Sequence, residues 1–151
     1  MNSIKSQPKH HSELTNIAIV SKKHWNYSDE LMNLWKDDLT ITPDFIKENY
    51  VFHIQNNNDE IIGFYAFIVH EKQIILDSLF ILPEEIGKGL GRILMNDFLE
   101  KIKKFKPENS IVEADPNAEN FYKKFGFETI DYKSTKIKGR FLPIMKLNLN
   151  L

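Results

Sequence analysis

Apolar and polar positions along this chain follow two periods, and each change of period marks an element. Ile74-Ile75-Leu76-Asp77-Ser78-Leu79-Phe80-Ile81-Leu82 is an apolar run of strand length, closed by Pro83, which donates nothing to a sheet ladder. Beyond it Leu90, Ile93, Leu94, Phe98, Ile102 and Phe105 recur at three- and four-residue spacing, while Arg92, Asn96, Glu100, Lys103 and Lys104 hold the opposite face, which predicts an amphipathic helix. Ahead of the run, Tyr50 to Gln55 and Glu60 to His70 flank Asn56-Asn57-Asn58-Asp59 and predict an antiparallel hairpin. A third strand over residues 73–82 follows the charged turn Glu71-Lys72. The N-terminal third predicts a short strand at Ile4 to Gln7, helices over Ser12 to Lys23 and Ser28 to Lys36 capped by those serines, and a helical turn at Pro43 to Glu48. After the amphipathic helix, Ser110 to Ala114 predicts a strand parallel to the apolar run, reached by a right-handed crossover. Glu128 to Tyr132 and Leu142 to Leu149 carry further strand patterns around a turn at Lys138-Gly139-Arg140.

Between the apolar run and the amphipathic helix lies Ile86-Gly87-Lys88-Gly89-Leu90-Gly91. Alternating glycines leave backbone N–H groups uncovered, and a helix start adds the positive end of its dipole, so phosphate is attracted there. Gly87, Lys88, Gly89, Leu90, Gly91 and Arg92 therefore form a candidate pyrophosphate cradle. A simple joining turn explains one or two glycines. Gly91, however, falls where the helical pattern has begun, and glycine there costs about 1 kcal/mol relative to alanine. The lysine followed by serine or threonine of a P-loop is missing. A dinucleotide fingerprint fits Gly87 and Gly89, with Glu113 at ribose distance, but Arg92 holds its third glycine position and only one such unit is visible.

A second pattern runs from Ala114 to Phe127. Ala118, Phe121, Tyr122 and Phe125 form one helical stripe and Gly126 stands where a C-cap glycine belongs. Taken alone, such a stripe is ordinary core packing. Together and in this order, the two patterns resemble the GNAT superfamily of N-acetyltransferases. Gly89 and Gly91 match the glycines of its Gln/Arg-x-x-Gly-x-Gly/Ala loop, with Ile86 departing at the Gln/Arg, and residues 121–127 match Phe-Tyr-x-Lys-x-Gly-Phe.

The resemblance implies an α/β fold of the α+β kind: a mixed, mostly antiparallel sheet with a central splayed parallel pair and helices on both faces, in one domain over residues 1–151. It implies acetyl-coenzyme A as co-substrate, its pantetheine arm meeting the backbone of Phe80, Ile81 and Leu82, with Asn117, Asn120, Tyr122 and Lys124 completing the contacts. Tyr122 matches the tyrosine assigned as acid toward the leaving thiolate, and a backbone N–H near Phe80 or Ile81 would face the oxyanion. Asp77, a carboxylate inside an apolar run, is the candidate base if desolvation raises its pKa; a hydrogen-bonded structural Asp beside Ser78 is the alternative. Trp25, Tyr27, Glu113 and Arg140 are candidates for the acceptor pocket, although aromatic anchoring and an exposed turn arginine are the plainer readings of three of them.

Composition narrows the partners. The 151 residues include 20 basic and 21 acidic side chains for a net charge of −1, so no global field recruits nucleic acid or an anionic membrane. Lys101, Lys103, Lys104 and Lys106 cluster at one helix end, where cations suit the dipole. The absence of cysteine removes disulfides, thiolate catalysis and thiolate-ligated metals. His10-His11 have no positioned carboxylate beside them, and no metal is expected. No apolar run has membrane-span length and Met1 to His11 is polar, so a cytoplasmic protein is expected. The expectation is an N-acetyltransferase, monomer or homodimer, moving acetyl from acetyl-coenzyme A to the primary amine of a small molecule by direct attack. The alternatives are a non-catalytic coenzyme A-binding or sensory module and a nucleotide-binding oxidoreductase.

Overall fold

A computed structural model describes residues 2–149. Seven strands, β1 (Ile4–Lys5), β2 (Tyr50–Gln55), β3 (Ile61–His70), β4 (Gln73–Ile81), β5 (Asn109–Glu113), β6 (Glu128–Ser134) and β7 (Phe141–Asn148), follow the order β1-β2-β3-β4-β5-β7-β6. The helices are α1 (His11–Lys23), α2 (Asp29–Leu34), α3 (Lys36–Leu39), α4 (Pro43–Glu48), α5 (Leu90–Ile102) and α6 (Glu119–Lys123). β1 with β2, β2 with β3, β5 with β7 and β6 with β7 pair antiparallel, whereas β4 and β5 pair parallel. The mixed sheet is the one the sequence predicts, whereas β1 ends at Lys5 rather than Gln7 and α3 is not among the predicted elements.

Two helix boundaries differ. Ser12 does not cap α1, because Pro8 starts a 3-10 turn over Pro8–His10 and the chain is already helical when Ser12 arrives. That turn is closed by His10, whose Nδ1 accepts the Gln7 N–H at 2.9 Å. Ser28 does cap α2, accepting the Leu31 N–H at 3.2 Å. The second helix stops at Leu34 rather than Lys36, since Trp35 (φ −93°, ψ 0°) breaks it and packs against the core before α3 begins.

The chain forms two compact units. The first holds the residues up to Phe67 together with Ser78–Phe98. Its centre is β3, where Ile61 to Phe67 are all buried. Alternation sends Phe64 and Ala66 to one face, where they join Leu14, Ile17 and Ala18 of α1 with Leu39, Ile46 and Val51. Gly63, Tyr65 and Phe67 occupy the other face under α5. A Cβ at Gly63 would lie 3.2 Å from Leu94 Cδ1 and 3.3 Å from both Leu90 Cδ2 and the Phe80 carbonyl, so a side chain there would press on the start of the helix.

The second unit holds Ile68–Asp77 and the residues from Leu99 onward. Ile74, Leu76, Val112, Phe127 and Met145 are buried in it. Its parallel ladder runs from Gln73↔Asn109 to Ile75↔Ile111 and closes there, while β5 continues to Glu113 with β7 at its other edge.

Candidate active site

In the first unit, β4 delivers the chain to Leu82, whose N–H is held by the Ile62 carbonyl at 2.9 Å. Pro83–Glu85 then makes one 3-10 turn, and Gly87 (φ +87°) and Gly89 (φ +80°) carry the chain through left-handed conformations into α5. A Cβ at either glycine would meet no atom within 4 Å, so the backbone here borders open space. The first bond of the helix runs from the Ile93 N–H to the Gly89 carbonyl at 3.2 Å. The N–H groups of Leu90, Gly91 and Arg92 therefore precede the helical ladder and need outside acceptors. Bare backbone, free donors and a positive helix end together fit a pyrophosphate. Lys88 is exposed and 3.4 Å from Glu85, Arg92 is exposed, and Ile86 is 51% exposed where the motif carries a polar side chain.

In the second unit, Tyr122 on α6 is buried against Phe121 and Phe127, with ring centroids 5.2 and 5.7 Å away. Gly126 (φ +95°) ends this segment as the C-cap position requires. Burial, and secondarily the Asp115 carboxylate, push the Tyr122 phenol well above its ordinary range, so it holds its proton at neutral pH. A protonated phenol is what a general acid needs. Asn117, Asn120 and Lys124 are exposed around it, and Asn117 donates its N–H to Asp115 Oδ1 at 2.9 Å.

The remaining candidates divide. Phe80, Ile81 and Leu82 are half-buried in the first unit, with Phe80 against Phe64. Asp77 is exposed between the buried Leu76 and Ser78 of β4. Trp25 is 46% exposed, whereas Tyr27 packs edge-on against Trp35 at 4.8 Å with Lys22 Nζ over both rings. Glu113 is exposed and pairs with Lys133 at 3.3 Å. Arg140 is not an exposed turn arginine. Its side chain and that of Asp115 are each 14% exposed and meet at 3.3 Å.

Sequence reasoning missed an open cleft of about 690 Å³ in the second unit, lined by Pro116, Tyr132, Gly139, Arg140 and Phe141. The clue available was the pair of aromatics flanking a glycine turn. It also missed His53, fully buried in the first unit with Nδ1 2.7 Å from Ser6 Oγ.

The first unit thus carries a glycine loop that opens a helix after an apolar strand, and the second a buried tyrosine on a short helix. The acetyltransferase (GNAT) domain family matches residues 26–149, and the chain belongs to this family: it is an acetyltransferase. That membership removes the oxidoreductase alternative. Peptidyl-lysine N-acetyltransferase YjaB of Escherichia coli (strain K12) is 26% identical over 149 residues, covering 87% of this chain and 95% of that protein. A GCN5-related N-acetyltransferase from Rhodopseudomonas palustris shares the fold at a TM-score of 0.80 with 18% identity, covering 98% of this chain and 95% of that one. PaiA N-acetyltransferase from Thermoplasma acidophilum, solved in complex with coenzyme A, reaches 0.77 with 19% identity and 98% coverage of each. No helix among the described residues is long and apolar enough to cross a membrane.

Proposed function

We propose that the protein transfers the acetyl group of acetyl-coenzyme A to the side-chain amine of a lysine in a peptide or protein, in the cytoplasm. The observation that carries the co-substrate is the start of α5, where free N–H donors and two left-handed glycines border open space. Gly87, Lys88, Gly89, Leu90, Gly91 and Arg92 would hold the pyrophosphate, and the backbone of Phe80, Ile81 and Leu82 would hold the pantetheine arm. Acetyl-coenzyme A supplies an activated thioester. Tyr122 keeps a proton for the departing thiolate, and water takes the proton of the amine, since Asp77 is exposed.

The acceptor reading departs from the small molecule expected from sequence. It is supported by the name of the Escherichia coli relative, a peptidyl-lysine N-acetyltransferase aligned over most of both chains. Thiol release from acetyl-coenzyme A should accelerate with lysine-bearing peptides and stay near background with free amino acids and polyamines. Turnover confined to a small amine would restore the earlier expectation, and no turnover with any amine would leave only the coenzyme A-binding function.

A further inference from the structure

The segment that carries Tyr122 is gripped at two points by the β6–β7 hairpin, all within the second unit. Asp115 Oδ1 accepts both the N–H and the Nδ2–H of Asn117, at 2.9 and 3.0 Å, and so caps the 3-10 turn Pro116–Ala118 that runs directly into α6. Its other oxygen, Oδ2, takes the Arg140 guanidinium at 3.3 Å. One turn later, Glu119 Oε2 accepts from Thr129 Oγ1 at 2.5 Å and from the Tyr132 hydroxyl at 3.1 Å, which holds the first residue of α6 against β6. Arg140 is itself held, since Thr135 Oγ1 donates to its carbonyl at 2.9 Å.

Exposed ion pairs contribute little, but this one is largely removed from solvent, and its carboxylate also performs a capping task. After burial, the Asp115 carboxylate is what raises the Tyr122 phenol. Lys123 and Lys124, next to Tyr122 in sequence, are exposed, and Glu119 is engaged by Thr129 and Tyr132. We infer that Arg140 and Asp115 are the positioning pair for Tyr122: the hairpin arginine fixes the carboxylate that caps the turn, and the capped turn fixes where the tyrosine hydroxyl sits. The inference rests on Tyr122 being the acid.

The test is a kinetic cycle over Arg140→Gln, Asp115→Asn, Arg140→Lys and Tyr122→Phe with saturating lysine peptide. Loss of positioning should lower kcat of Arg140→Gln by roughly 10–100-fold, with KM for acetyl-coenzyme A unchanged. Arg140→Lys should recover part of that loss, because a cation still meets Asp115 Oδ2. In the Tyr122→Phe background the Arg140→Gln penalty should disappear, since there is no hydroxyl left to misplace. A purely structural pair would lower the melting temperature and leave kcat below that temperature intact, which would overturn the inference. An undiminished penalty in the Tyr122→Phe background would overturn it as well. Wild-type turnover by Tyr122→Phe alone would instead remove the acid assignment, so the two failures are distinct.

Discussion

The Tyr65 hydroxyl, fully buried under α5, donates a 2.6 Å hydrogen bond to Asp97 Oδ2 and is the polar rung between two apolar contacts of β3 with the helix. Asp97 lies three residues after Leu94, on the helix stripe that otherwise holds Leu90, Leu94 and Phe98. Burial, followed by this bond, drives the Tyr65 phenol far above its ordinary range, so the hydroxyl stays a donor throughout the working pH range. Tyr65→Phe removes the donor and keeps the ring. It should cost about 1–3 kcal/mol, read as a lower urea midpoint with an unchanged slope.

His53 predicts an acid-sensitive fold. Burial first, and His10 second, pull its pKa from 6.5 down to about 4, so the folded protein holds it neutral while the unfolded chain binds a proton. Stability is complete above about pH 6.5 and falls as the pH drops toward 4, by on the order of 3 kcal/mol in all. Urea melts at pH 7.5 and 5 should show the loss, and His53→Leu should flatten most of it; equal pH dependence in that variant would point to other groups.

Gly89→Val should weaken acetyl-coenzyme A binding by at least about tenfold, or 1.4 kcal/mol. A β-branched residue resists the left-handed conformation at φ +80° and would turn the loop N–H groups away from the phosphates. Calorimetric titration measures it, and an unchanged Kd would refute the cradle.

Tyr122→Phe should bind acetyl-coenzyme A normally and turn over about 10²–10⁴-fold more slowly. The ring contacts with Phe121 and Phe127 survive the substitution, so packing alone cannot account for such a loss. Pre-steady-state thiol release separates the chemical step from product departure.

What the sequence made legible is local. Ser28 caps, Asn56 to Asp59 turn, and the stripe of α5 is buried because each depends on neighbours within a few residues. The errors involve contacts or directions that no short window contains. Arg140, read as an exposed turn residue, meets a carboxylate 25 residues away. His53 reads as one more polar letter in a strand, and the Ser6 and His10 that lie beside it come from more than 40 residues away. Loop and tyrosine motifs were visible because their spacing along the chain is itself the chemistry.

The strand order carries a consequence for biosynthesis. β7, the last strand to leave the ribosome among the described elements, inserts between β5 and β6, both made earlier. Until it arrives, β5 and β6 each lack a partner along an edge, and Asn109 waits for Asn148 to be synthesised before its register can close. A nascent or prematurely terminated chain therefore exposes open strand edges, the condition that invites aggregation and chaperone capture. A stop codon within β7 would leave both of those edges open.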